Sequence, residues 1–140
     1  MGKAAGCEIV CTGEIADVRL SPKARAEYDA LMSRADNVSR AQARQLQRYM
    51  QRFCGSEPHK MIEEHYRHEG SHPCGRSGGK KVAVWAFKPD GWRLYGAVLK
   101  VGNKKCFVGV DVDPAKKKQK VDQARLRSVA LMIGEFDEWI

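Results

Sequence analysis

The chain has 140 residues, 43% of them hydrophobic and 30% charged, with a formal charge of +8 at pH 7. That length fits one domain spanning residues 1–140 with a single core, and the composition excludes a disordered chain. No apolar run approaches the roughly 18–20 residues that span a bilayer, and the basic excess favours a nucleic acid or an acidic partner face over a neutral small molecule.

Residues 1–6 are small and polar and read as a flexible tail. The opening stretch has no apolar run long enough for a signal-peptide core. Five irregularly spaced cysteines do not make a disulfide framework, so the expected compartment is the reducing cytoplasm. Strand-like pieces follow at 7–12 and 14–20, separated by Gly13. Ser21-Pro22 is an N-cap followed by proline at the first helical position, and Ala24, Tyr28, Leu31 and Ala35 then keep helical spacing. Asp36-Asn37 interrupts. Ser39 with Gln42 reads as a capping box opening a second helix with Ala43, Leu46, Met50 and Phe53 on its apolar face, stopped by Gly55. Arg40, Arg44, Arg48 and Arg52 recur every fourth residue, the pattern of a solvated basic face.

Residues 55–79 read as a polar connecting loop. It holds all four histidines (His59, His65, His68 and His72) together with Cys74, and Cys54 immediately precedes it. These are zinc-ligand types, but no CxxC knuckle or finger spacing accompanies them, so no metal is expected; a histidine here could serve as a general acid or base. Three runs rich in strand formers follow, at 82–87, 92–101 and 106–112. Pro89-Asp90-Gly91 separates the first two and Gly102-Asn103 the second two, which predicts an antiparallel meander. Lysines and Arg93 crowd its ends, a platform suited to a polyanion. Trp85 alternates with valines and reads as core, and Cys7, Cys11 and Cys106 read as small buried residues. Residues 121–140 read as a helix burying Leu126, Val129, Ala130 and Ile133, with Asp113-Pro114 or Asp122 as its cap and Gly134 able to end it before the acidic tail. The order predicts an α+β fold: an N-terminal strand and helical hairpin packed on one face of a mainly antiparallel sheet, then a C-terminal helix.

That order, with the meander text VAVWAFKPDGWRLYGAVLKVG, then CFVGVDVDPAKKKQK and VDQARLRSVALMI, resembles the RelE/ParE superfamily of bacterial toxins, in particular its HigB-like, phage-derived branch. The matching motifs are Trp85-Ala86-Phe87-Lys88, Arg93-Leu94-Tyr95 and the lysine run from Lys116, covering roughly the last sixty residues. The resemblance implies a toxin that cleaves messenger RNA on the ribosome and is held in check by a cognate antitoxin. It implies no metal and no small-molecule cofactor, because the RNA's own 2′-hydroxyl is the nucleophile, and the short apolar runs leave no membrane to expect. Such chemistry needs cations for the phosphate and groups for two proton transfers. Lys88, Arg93, His68 and Tyr95 are the candidate catalytic residues, and Lys116, Lys117, Lys118 and Lys120 the candidate RNA-binding ones. Two rival readings keep the same fold: a ParE-like inhibitor of DNA gyrase, and a catalytically silent, prophage-derived binding module.

Overall fold

Cap chemistry decides where the helices begin. In a computed structural model that describes residues 2–55, 61–115 and 122–138, the Ser21 hydroxyl accepts the Ala24 amide and Pro22 opens α1 (Pro22–Ser33). Helix α2 (Asn37–Cys54) is capped by Asp36, whose carboxylate accepts the Ser39 amide at 2.9 Å. The expected Ser39/Gln42 box is therefore displaced: Ser39 lies inside the helix, and the Gln42 side chain donates to the Asp90 carbonyl at 2.7 Å. Asp122 caps α3 (Gln123–Gly134) by accepting the Ala124 and Arg125 amides. Gly134 is the last residue of that helix, as the sequence suggests, and the acidic tail lies beyond it.

Six strands form one mixed sheet: β1 (Glu8–Thr12), β2 (Ala16–Leu20), β3 (Tyr66–Pro73), β4 (Lys81–Phe87), β5 (Arg93–Val101) and β6 (Lys104–Asp113). Their order is β1-β2-β6-β5-β4-β3, with β2 and β6 parallel and every other pair antiparallel. The fold is α+β with the predicted meander at its centre. The sequence reading of 55–79 as loop is corrected by β3. That strand is polar, sits at the sheet edge, ends on Pro73 and bulges at Glu69 beside Gly70 (φ +113°), so no apolar alternation announces it.

The helices lie on opposite faces, not on one as expected. Helices α1 and α2 bury Leu31, Leu46, Met50 and Phe53 against Val18, Leu20, Phe87, Leu94 and Phe107. Helix α3 buries Leu126, Val129, Ala130 and Ile133 against Val84, Ala86, Tyr95, Ala97 and Val108. The predicted flexible tail is also docked. A short 3₁₀ turn, Ala4–Gly6, donates the Ala4 and Ala5 amides to the Glu138 carboxylate at 2.7 and 2.9 Å, and Ala4 is fully buried.

One irregularity positions the site. Tyr95 pairs with Asp111 and Gly96 with Gly109, leaving Val110 as an extra residue in β6. A bulge puts two successive residues on one face. Phe107 faces the hairpin, and strict alternation would send Asp111 and Asp113 there too; the bulge turns them towards α3.

Candidate functional site

Strands β3 and β5 begin, and β4 and β6 end, at one end of the sheet. Arg67 pairs with Ala86, Tyr95 with Asp111 and Arg93 with Asp113. Since Ala86 and Tyr95 belong to the core beneath α3, these side chains share the α3 face. Lys88 follows Ala86 by two residues, and its amide donates to the His65 carbonyl at 2.8 Å, extending the β3–β4 pairing.

Arg125, in the first turn of α3, donates to the Asp111 carboxylate at 2.9 Å and to the Val112 carbonyl at 3.1 Å. Lys23 reaches the other Asp111 oxygen at 3.2 Å. Arg67 lies 3.5 Å from the Glu69 carboxylate, which is almost wholly buried. Arg93 is anchored to its own turn, donating to the Pro89 and Trp92 carbonyls at 3.0 and 2.9 Å.

Burial, reinforced by the Arg93 charge, pulls the Lys88 ammonium below the ordinary lysine range, with Glu69 partly opposing. A lysine so perturbed can exchange protons nearer neutrality. Tyr95 behaves differently. It is 1% exposed, and burial, followed by the Glu69 and Asp113 carboxylates, pushes its hydroxyl up to about 12. Tyr95 is a packing group at this end of the sheet.

The predicted catalytic set therefore divides. Lys88, Arg93 and Tyr95 share one face. His68 lies across the sheet, paired with Trp85, their ring centroids 5.1 Å apart, while Trp85 stacks on Tyr66. Lys116, Lys117, Lys118 and Lys120 lie outside the described residues. The described members of the histidine stretch do not converge either, and His59 lies outside the described residues. His65 stacks on Tyr49 at 4.0 Å, Cys54 is in the hairpin-side core and Cys74 in the α3-side core. Among the described residues no three His, Cys, Asp or Glu side chains are grouped to hold a metal.

Arg67, Glu69, Asp111, Asp113 and Arg125 were not foreseen as site residues. Asp111, Asp113 and Arg125 are signalled in the sequence by charge inside otherwise apolar runs, DVD in β6 and RLR in α3, whereas Arg67 and Glu69, in a polar strand, carry no such signal. Two bulges, at Glu69 and Val110, decide which way Glu69, Asp111 and Asp113 point. Chemically, the group offers an anchored guanidinium and a depressed lysine side by side, a pair suited to binding a phosphoryl oxygen and moving a proton next to it.

No family model, no curated protein and no solved structure matches this chain. No described helix is long and apolar enough to cross a membrane.

Proposed function

We propose that the chain is a toxin of the RelE/ParE kind, HigB-like, that cleaves messenger RNA on the ribosome and is restrained by an antitoxin. The observation that carries this reading is Lys88 beside Arg93, on one face of the sheet, with the lysine pKa lowered by burial and by that guanidinium. In the proposed reaction neutral Lys88 accepts the proton of a ribose 2′-hydroxyl. The oxygen attacks the adjacent phosphorus, the bond to the 5′-oxygen breaks, and that oxygen takes a proton from water. A 2′,3′-cyclic phosphate and a 5′-hydroxyl result. Arg93 offsets the charge that accumulates on the phosphoryl oxygens, and Arg67 and Arg125 stand on the same face to hold the strand.

Induction in a bacterial host, with primer extension on an abundant message with and without active translation, tests this. Translation-dependent cuts inside coding sequence are expected, and Lys88→Met or Arg93→Ala should abolish them in a protein that still folds. Persisting cuts in both variants would refute the site. The rival reading, inhibition of a protein target such as gyrase, draws on the burial of Tyr95 and the placement of His68 across the sheet, which leave Lys88 as the one proton-transfer group of the original set on this face. Growth arrest with intact messages and a DNA-damage response would establish that alternative. Intact messages with normal growth would leave a silent binding module.

A further inference from the structure

The ladder between β4 and β5 stops early. The strands run for 7 and 9 residues, yet they pair only through Trp85–Gly96, Ala86–Tyr95 and Phe87–Leu94. Beyond Gly96, and among the described residues, 81–84 are held by β3 alone and 97–101 by β6 alone. A cavity of about 600 Å³ opens along the same segments, between Lys81, Val82 and Ala83 on one side and Val98, Leu99 and Lys100 on the other. The Gly102-Asn103 turn and Glu138 bound its end.

Two interior strands of a sheet thus face each other across backbone that no described residue pairs. Backbone N–H and C=O groups need partners, and an open strand edge is a template for another extended chain. At a rise of about 3.3 Å per residue, the seam has the length for roughly four extended residues.

The side chains around it specify what kind. Val82, Val84 and Leu99 belong to the α3-side core, so one face of the seam is apolar. On the other face Val98 is 36% exposed, and Lys100 sits directly opposite Lys105 across β5 and β6. Like charges directly opposite cost stability. Among the described residues, Lys81, Lys100 and Lys105 have no carboxylate partner; Lys105 instead lies over the Phe53 ring, 4.7 Å from its centroid. Glu138 is committed to the Ala4 and Ala5 amides. We infer that the seam between β4 and β5 takes up an extended peptide of a partner protein, with small apolar and acidic side chains in alternation, as an inserted strand. Its apolar side chains meet Val82 and Leu99, and its carboxylates meet Lys81, Lys100 and Lys105. This inference does not rest on the ribonuclease reading.

The test is amide exchange by NMR on the full chain, free and with three probes: an octapeptide alternating valine and glutamate, its valine–lysine counterpart, and an octauridylate. In the free protein, the seam-facing amides within 81–84 and 97–101 should exchange about 100-fold faster than those of Trp85, Ala86 and Phe87. The acidic peptide should slow them to the rate of the paired residues and bind at least about tenfold more tightly than the lysine peptide. Lys81→Glu with Lys100→Glu, both at exposed positions, should reverse that preference. Slow exchange in the free protein would mean a closed ladder and overturn the inference. Equal binding of the two peptides would also overturn it. So would octauridylate displacing the peptide and shifting the lysines without protecting the amides, which would make the face a nucleic-acid surface.

Discussion

Gly134→Ala is the sharpest test of how α3 is seated. A Cβ at Gly134 would lie 2.1 Å from the Cys74 carbonyl oxygen and 2.9 Å from the Cys74 Cβ. That oxygen is backbone and cannot swing aside. The Cys74 amide is tied to the Lys80 carbonyl at 3.2 Å, and the Gly134 carbonyl accepts from Arg76 at 2.8 Å. Alanine would gain about 1 kcal/mol of helix propensity, but forced overpacking costs about 1–3 kcal/mol and more where only backbone can yield. The expected net loss is about 2 kcal/mol, a fall in Tm of roughly 7 °C for a chain of this length. Urea melts followed by circular dichroism, with the m-value unchanged, would measure it. Gly6→Ala, where nothing lies within 4 Å of the new Cβ, is the control. An unchanged or raised Tm for Gly134→Ala would refute the close contact between the end of α3 and Cys74.

Other expectations concern titration and reactivity. Burial opposes ionisation of Asp17, but hydrogen bonds from Lys104 and Thr12 and the Lys104 and Arg19 charges outweigh it, so its pKa is lowered. Its stabilisation is therefore complete above the unfolded value of about 3.9 and lost as pH falls through the lower folded value. Asp17→Asn should cost about 1 kcal/mol at neutral pH, with the gap to wild type closing in acid; a gap independent of pH would contradict the pairing. A hydrogen bond from Cys54 lowers the Cys11 thiol, whereas burial raises Cys7 and Cys106 and the Cys11 contact raises Cys54. Cys11, half-exposed, should be alkylated by iodoacetamide before those three in a mass-spectrometric time course. If Lys88 is the base, single-turnover cleavage should rise with pH through a value below that of an ordinary lysine. Lys88→Arg should remove that limb, and an unaltered profile would exclude Lys88.

Much of the scaffold was legible because its signals are local. Ser21-Pro22 and the turns Pro89-Asp90-Gly91 and Gly102-Asn103 need only their own φ preferences to act; Asn103 and both glycines indeed have positive φ. The spacing of Leu46, Met50 and Phe53 likewise marks one buried helix face. What was not legible depends on pairing between distant strands. Edge strand β3 reads as loop because its partner β4, not its own composition, makes it a strand. Alternation along CFVGVDVD sends Phe107, Asp111 and Asp113 to one face, and only pairing with β5 reveals that Val110 breaks it. Residue type alone groups His68 with Lys88 and Arg93, and cross-strand pairing with Trp85 separates them.

The charge at the site itself is nearly balanced, and this bears on where RNA affinity would come from. Lys23, Arg67, Lys88, Arg93 and Arg125 stand among Glu64, Glu69, Asp111 and Asp113, an excess of one cation. Long-range attraction for a polyanion must arise elsewhere. The exposed row Arg40, Arg44, Arg48 and Arg52 on α2 carries four cations with no carboxylate partner among the described residues. Binding and chemistry are then separable by salt. Each phosphate contact to a single strand contributes about 0.7 to the slope of log K against log salt. If the row meets RNA, Arg44→Gln with Arg48→Gln should flatten that slope by about 1.4 for a single-stranded oligoribonucleotide. If Lys88 is the base of the proposed reaction, Lys88→Met removes a proton acceptor and not a phosphate contact, and should leave the slope unchanged while abolishing cleavage. The reverse pattern would mean that Lys88 acts as a phosphate contact and that the α2 arginines are solvated charges without a partner.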